Sequence, residues 1–388
     1  MKILWLCSWY PHSIDPYDGD FIERQAKALS AHTQVDLIHV VQNFDFLKKE
    51  TSLRTEEKQE GQLHSSVYFL PLTKTTINFF QKLLFNKEYQ SLYKKLIADY
   101  ISKNGKPDLI HLHVPVKAGS VVVKMKKEYD IPFVVTEHSS AYFEHIPENY
   151  FNRNRYFRFI TKQSFEEAVA VSSVSDWLLK RLNTLFNIMQ TKLIRNVVDT
   201  SVFYPVEIKN DRPRFIHVSM MHELKNVKGI LHALAALKEK NVHWEMWFVG
   251  PVLKENTALA QQLGISDQIT WKGALSYRAV AECVRSADAL VHFSNYENLP
   301  CVINEALCCG LPVISSNVGG IAELVNSSNG VLIAPGDVTT LTNTLEDFLQ
   351  QKINYNKTEI AANAANQFNE NIIGKQLLDW YQELLAKK

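Results

Sequence analysis

The sequence predicts an α/β protein of two tandem domains, each a parallel sheet with helices on both faces. Three observations carry this. Short apolar runs of strand length alternate with longer helical stretches through the first 140 residues. The alternation stops over 195–214, where RNVVDTSVFYPVEIKNDRPR loses helical periodicity and carries two prolines, as a linker does. It then restarts and continues to the C-terminus.

The first strand is KILWLCSW (2–9), read as a strand and not as a leader peptide because Pro11, Asp15 and Asp18 follow where small residues would mark a cleavage site. A turn-rich loop over 10–19 leads to FIERQAKALSAH, whose Phe21, Ile22, Ala26 and Leu29 share one helical face. VDLIHVV (35–41), DLIHLHV (108–114) and PFVVTEH (132–138) are further strands, with helices expected over 81–103 and 117–128. In the second half the strands are RFIHVSM, HWEMWFVG, QITWKG, ALVHFS, PVISS and GVLIAP. The intervening helices are expected at 227–239, 256–263, 276–286 and 302–309. Helices at 339–351 and 358–387 close the chain. The expected domains are 1–198, with 366–388 packing back on it, and 199–365.

Composition narrows the function. Of 388 residues, 46% are hydrophobic and 21% charged, so a large core is available and a disordered or collagen-like chain is excluded. With 42 basic and 41 acidic side chains the net charge is +1, which gives no whole-protein field for nucleic acid. The charge is uneven: residues 1–195 hold 26 basic against 21 acidic side chains. The five cysteines form no metal-type spacing and read as reduced thiols, which implies a cytoplasmic protein. No apolar run is long enough for a membrane span, so any membrane contact would be peripheral. Aromatic and basic residues mix over 73–96 and 148–162, a surface that could meet an anionic membrane or an acidic lipid-linked acceptor, while helix packing explains the aromatics equally well.

Neither a Gly-x-Gly dinucleotide turn nor a Gly-Lys-Ser/Thr phosphate loop occurs, which weakens hydride transfer and ATP hydrolysis. Asp18-Gly19-Asp20 precedes a helix and reads as a turn and cap, so no metal site is expected. The informative stretch is SNYENLPCVINEALCCGLPVISSNVGGIAE (294–323). Glu297 lies in a loop at a strand's carboxyl end, and Glu305 lies one turn inside the following helix. Free N–H groups at that helix start suit phosphate oxygens. Two carboxylates beside them would repel phosphates but accept hydrogen bonds from sugar hydroxyls. The pattern fits a sugar–diphosphate ligand, and it also fits two structural acids favoured by the helix dipole.

This stretch resembles the C-terminal signature of retaining glycosyltransferases of family 4, which have the GT-B fold: Glu, seven residues, Glu, then Ala and a Gly-x-Pro-Val strand. Further matches follow in order: Pro11 to Gly19, His138 in TEHSS, Asn196 to Asp199, Lys225, Phe248 to Pro251, Gly273, Ser294, and Gly319-Gly320 with Glu323. The resemblance implies two Rossmann-like domains facing a central cleft, with the C-terminal helix crossing back to the first. It implies a nucleotide-sugar donor, a glycan or lipid-linked acceptor, no nucleic acid, no metal and no other cofactor. Envelope or capsular polysaccharide assembly is the setting that proteins of this kind suggest.

Carried onto this sequence, the resemblance implies that Glu305 holds the ribose and Glu297 the transferred sugar. Backbone at Asn298, Leu299 and Cys301 would meet the sugar and distal phosphate. Lys225 would neutralise the diphosphate, Gly273 would lie against the base, and Gly19 would let the first loop approach the phosphates. His138 would hold the donor sugar or the acceptor hydroxyl. From their places in the strand, His111 and His113 are expected on opposite sides, and His113, at the strand end, is a candidate for the cleft against the more ordinary reading of a core histidine. One departure stands out: the family's Gly-Arg-Leu is Ser219-Met220-Met221 here, so neutralisation would fall to Lys225 with Lys228, or to a protonated His222. Two alternatives follow: an epimerase-like enzyme of related architecture, and a non-catalytic nucleotide-sugar or glycan-binding protein.

Overall fold

The computed structural model describes residues 1–72, 78–115, 118–146, 148–240 and 242–386, with backbone alone for 78–80. The start of the aromatic tract (73–77), the first residue of the expected 117–128 helix and the last two residues of the chain therefore lie outside the described residues. The backbone forms two compact units, Met1–Val197 with Glu370–Lys388, and Val198–Asn369.

The first unit holds strands β1 (Ile3–Cys7), β2 (Val35–Val40), β3 (Arg54–Glu60), β4 (Leu63–Phe69), β5 (Leu109–His113), β6 (Phe133–Glu137), β7 (Ala170–Ser173) and β8 (Thr191–Leu193). They form one sheet in the order β3-β4-β2-β1-β5-β6-β7-β8. Helices α1 (Asp20–Ser30), α2 (Phe44–Leu47), α3 (Asn78–Asn104), α4 (Ala118–Tyr129), α5 (Arg155–Glu166) and α6 (Asp176–Leu185) connect them. Strands β1, β5 and β6 are buried along their whole length, as a parallel sheet covered on both faces requires.

The sequence reading missed the hairpin of β3 and β4, which is antiparallel. Its outer strand, RTEEKQE, buries no residue fully and so carries no apolar run; its charges protect the sheet edge from further pairing. The short strands β7 and β8 were missed for a related reason. Ala170–Ser173 is half serine although fully buried, and Thr191–Leu193 is a three-residue edge.

The second unit is a six-stranded, wholly parallel sheet in the order β11-β10-β9-β12-β13-β14. Its strands are β9 (Arg214–Val218), β10 (Glu245–Val249), β11 (Ile269–Gly273), β12 (Ala289–His292), β13 (Val313–Ser316) and β14 (Gly330–Ile333). Its helices are α7 (Val227–Lys238), α8 (Lys254–Gln262), α9 (Tyr277–Arg285), α10 (Cys301–Cys308), α11 (Val338–Leu349) and α12 (Lys357–Phe368). Phe215, Phe248, Val291 and Ile314 from the strands pack with Leu231, Leu234 and Leu345 from the helices in one core.

The single C-terminal helix expected over 358–387 is two helices. Asn369 is extended, with φ −64° and ψ 158°, and it pairs with Val198 in an isolated bridge while Val198 N–H donates to Phe368 O at 2.8 Å. The chain leaves the second unit at this break. The last helix, α13 (Glu370–Leu385), packs on α1 in the first unit, with Ile373, Leu377, Trp380 and Tyr381 in its core. Gly374 permits the contact, since a Cβ there would lie 2.2 Å from Ala28 O.

Candidate active site

In an open parallel sheet, loops on either side of the point where strand order reverses diverge and leave a crevice at the strands' carboxyl ends. In the second unit that point lies between β9 and β12. Lys225 follows β9 and Glu297 follows β12, and their side chains meet there: Lys225 Nζ lies 2.6 Å from Glu297 Oε1. Lys225 ends a single 3₁₀ turn, Glu223–Lys225, which Asn226 stops in the left-handed region with φ 49°. The two loops are also tied through backbone, Asn295 N–H donating to Leu224 O at 2.8 Å.

Glu297 Oε1 has two further partners, His292 Nε2 at 2.8 Å and Ser294 Oγ at 2.8 Å. Burial alone would push this carboxyl up. The His292 hydrogen bond and charge, with the Lys225 ammonium, outweigh burial and hold it well below the usual carboxylate range. The group is therefore an anion in a nearly dry site, with one oxygen saturated. Behind it His217 stacks on His292 with ring centroids 5.9 Å apart. Burial, followed by the neighbouring His292, lowers His217 to about 3, so that ring is neutral at pH 7.

Backbone closes the loop from below. Gly320 N–H donates to Asn298 O at 2.8 Å, and Gly319 has φ 58° with its Cα so close to the Glu297 carbonyl that a Cβ would lie 2.0 Å from that oxygen. Only glycine fits there. Glu297, Asn298 and Leu299 are buried in this loop. Pro300 takes the cap position of α10 with no side-chain cap, and Cys301 begins the helix. Glu305 is buried inside α10, and after burial itself it is one of the groups that push the Cys308 thiol up. Gly273 ends β11 and accepts from Gly250 N–H at 2.9 Å.

The replaced triplet is also placed. Met220 is 61% exposed and Met221 is buried, while Ser219 Oγ bonds His217 Nε2 at 2.8 Å. His222 does not supply the missing charge at neutral pH, because burial and then the Lys225 ammonium lower it. Sequence reasoning did not single out His292 or His217. The signal was present as one imidazole each in the apolar runs ALVHFS and RFIHVSM, at strand positions buried on both faces.

In the first unit Gly19, with φ 67°, caps α1 against Trp9, where a Cβ would meet backbone at 2.7 Å. The turn is as expected and Gly19 takes the cap position, though no side-chain cap hydrogen bond forms. Asp20 pairs with Arg24 at 2.6 Å, and Asp18 faces His12 Nε2 at 3.9 Å. His12, Asp18 and His39 bring ligand-type atoms within 4.8 Å of one another. His12 Nδ1 accepts from the N–H groups of Ile14 and Asp15, which leaves its proton on Nε2 and no lone pair there for a cation.

His138 directly follows β6, and its Nε2 lies 3.3 Å from His113 Nδ1. Burial lowers His138 to about 3, so it is a neutral imidazole. His111 and His113 do not face opposite sides. Residues two apart in a strand share a face, and their rings lie 4.0 Å apart. His111 bonds Tyr381 and Thr136 within the core. Beside them a cavity of about 750 Å³ is bounded by α3, α5 and the loop after β6, with Glu137, Tyr142, Tyr150, Arg153 and Tyr156 among its walls. Burial raises Glu137 to about 7 although Tyr142 Oη and the N–H groups of His138 and Ser139 donate to it. The aromatic residues of 148–162 are divided: Tyr150, Tyr156 and Phe157 line the cavity, Tyr156 from its exposed side, whereas Phe159 is exposed away from it.

Comparison with known proteins places the chain in a family and a fold. The Glycosyl transferases group 1 family matches residues 201–368, and Glycosyltransferase Family 4 matches 52–202. The lipopolysaccharide 1,6-galactosyltransferase of Escherichia coli K12 is 23% identical over 80% of this chain and 82% of its own. The N-acetyl-alpha-D-glucosaminyl L-malate synthase of Bacillus anthracis is 23% identical over 84% and 86%. Among solved structures, sucrose-phosphate synthase from Thermosynechococcus elongatus superposes with a TM-score of 0.79 at 20% identity over all of both chains. HepE of Anabaena in complex with UDP-glucose does so with 0.70 at 18%, again over all of both. The fold is GT-B, and the chain belongs to the group 1, family 4 glycosyltransferases.

Proposed function

We propose that this glycosyltransferase takes its sugar from a nucleotide-diphosphate donor held by the second unit and transfers it, with retention and without a metal, to a glycan or lipid-linked acceptor in cell-surface polysaccharide assembly. The observation that carries the reading is the grouping of one lysine, two buried carboxylates and the open start of α10 at the strand-order reversal. Phosphate oxygens suit Lys225 and the N–H groups at Cys301 and its neighbours. Hydroxyls suit the acids: Glu297 for the transferred sugar and Glu305 for the ribose. Gly273 would border the base, and Gly19 would allow the first loop close to the phosphates.

Lys225 and the helix start supply positive charge where the diphosphate leaves, which is the role a divalent ion would otherwise fill. Retention follows if the acceptor attacks from the face the diphosphate departs, with a departing phosphate oxygen taking the acceptor proton. Positioning then does most of the catalysis and no covalent carboxylate is needed. His138 would hold a hydroxyl of the donor sugar or the acceptor. The cavity walled by tyrosines and Glu137 would receive the acceptor in the first unit, its aromatic faces suiting sugar rings. Among the described residues no helix is long and apolar enough to cross a membrane, so a lipid-linked acceptor would be met by peripheral contact at the cytoplasmic face. The lipopolysaccharide galactosyltransferase supports the cell-surface setting, and HepE with UDP-glucose supports the donor class.

A thermal-shift screen with UDP, GDP and ADP sugars tests the donor: a bound sugar nucleotide raises Tm by mass action. Turnover that persists in EDTA, releases nucleoside diphosphate and depends on an acceptor supports the reading. Met220 favours one rival, a donor-binding protein without turnover, which saturable binding with no product across an acceptor panel would establish. Donor consumption without acceptor would instead establish the epimerase-like alternative.

A further inference from the structure

We infer that His292 is a positioning residue that fixes the Glu297 carboxylate, so that Glu297 keeps its place and charge when Lys225 is drawn to the donor's phosphates. The inference rests on the reading of Glu297 as the group that holds the transferred sugar.

His292 is the last residue of β12, 1% exposed, between Val291 and Phe293 in an otherwise apolar run. An imidazole taken out of water at such a position is costly unless hydrogen-bonded. Its Nε2 lies 2.8 Å from Glu297 Oε1 and 3.1 Å from Ser294 Oγ. Glu297 is ionised and has no proton to give, so the imidazole must be the donor, with a proton on Nε2. Ser294 also gives its single hydroxyl proton to Oε1.

Oε1 thus takes three donors, from Lys225, His292 and Ser294, and no hydrogen bond is formed by Oε2 among the described residues. The carboxylate is held by one oxygen and offers the other. Of the three donors Lys225 alone sits on a long flexible stem outside the sheet, the one that a diphosphate would draw away. His292 cannot follow, because its backbone is in the sheet, Ser315 Oγ donates to its carbonyl at 2.8 Å, and its ring is stacked on His217. His217 is itself immobilised: its Nδ1 faces Val291 O at 2.9 Å and its Nε2 faces Ser219 Oγ at 2.8 Å. This support comes from Ser219, beside Met220, so the strand end that lacks the family's arginine instead anchors a stacked histidine pair. An apolar residue at 292 would leave Glu297 with Ser294 alone once Lys225 turned away.

The test compares His292→Leu, which keeps bulk and removes the donor, with His292→Gln, whose amide N–H reaches about as far as imidazole Nε2. Crystal structures of both variants and the wild type are paired with nucleoside diphosphate release from UDP-glucose, UDP-galactose, UDP-N-acetylglucosamine and GDP-mannose, and with the Kd of UDP and GDP. His292→Leu is expected to displace the Glu297 carboxylate by more than 1 Å and to lower kcat at least tenfold. The Kd of the free nucleoside diphosphate should change less than threefold, and His292→Gln should restore kcat to within threefold of the wild type. An unmoved carboxylate in His292→Leu overturns the inference, whether or not any of the four sugars is turned over. So does an unchanged kcat in His292→Leu when Glu297→Gln is inactive. Full activity in Glu297→Gln would instead overturn the assignment of Glu297 to the sugar.

Discussion

Lys225 Nζ and Glu297 Oε1 lie 2.6 Å apart, joining the loops that leave β9 and β12 on either side of the strand-order reversal in the second unit. The pair makes each member's role depend on the other. With His292, the lysine helps to hold a buried carboxylate ionised, and the carboxylate holds the lysine where phosphates would arrive.

Replacing Lys225 by alanine is therefore expected to lower kcat by about 10²–10³, the typical effect of removing one charge-stabilising group from a transition state. Steady-state release of nucleoside diphosphate measures it. A change confined to KM would mean that the lysine binds the ground state only.

Gly319→Ala places a methyl group against the Glu297 carbonyl and asks alanine to hold φ 58°. Backbone strain of this kind costs about 1–3 kcal/mol, and relief requires the Glu297 loop to move. A lowered Tm together with lost donor binding is the expected result. A variant with wild-type Tm and activity would show that the loop is not locked by this contact.

Glu137 gives a pH dependence whose sign can be worked out. Burial raises it to about 7 from the ordinary 4.5, so between those values the folded chain binds more protons than the unfolded one. Its contribution to stability is complete below pH 4.5 and is lost as pH rises through 7, by up to about 1.4 kcal/mol per pH unit within that window. Urea titrations at pH 5 and pH 8 should show a smaller difference for Glu137→Gln than for the wild type. An equal difference in both would remove Glu137 as its source.

Tyr381→Phe removes the hydroxyl that meets His111 Nδ1 in the core of the first unit. The imidazole nitrogen is left buried without that partner, at a cost of about 1–3 kcal/mol. Chemical denaturation should register this loss, since it loosens α13 from the sheet it covers. No loss of stability would mean that the apolar contacts of Ile373, Leu377 and Trp380 hold the helix without the hydroxyl.

The sequence by itself determined the class of fold and the residues of the signature. Apolar strand runs such as ILWLC and ALVH are long and dry enough to be legible one at a time, Glu297 and Glu305 stand out by type and spacing, and Lys225 is legible only through the family resemblance. Elements whose character depends on a neighbour were not legible. The β3 edge is polar because only one side of it is paired, and β7 is buried by its neighbours although half of it is serine. The break at Asn369 exists because Val198, far away in sequence, competes for its backbone. That His111 and His113 share a face follows from strand periodicity itself; the tertiary structure alone decided that their rings lie in contact, that Lys225 pairs with Glu297, and that His292 completes that carboxylate's set of donors. The physical reason is the same in each case: strand and helix patterns are set by neighbours in the chain, whereas ionisation and hydrogen-bond partners are set by whatever the fold brings within about 3 Å.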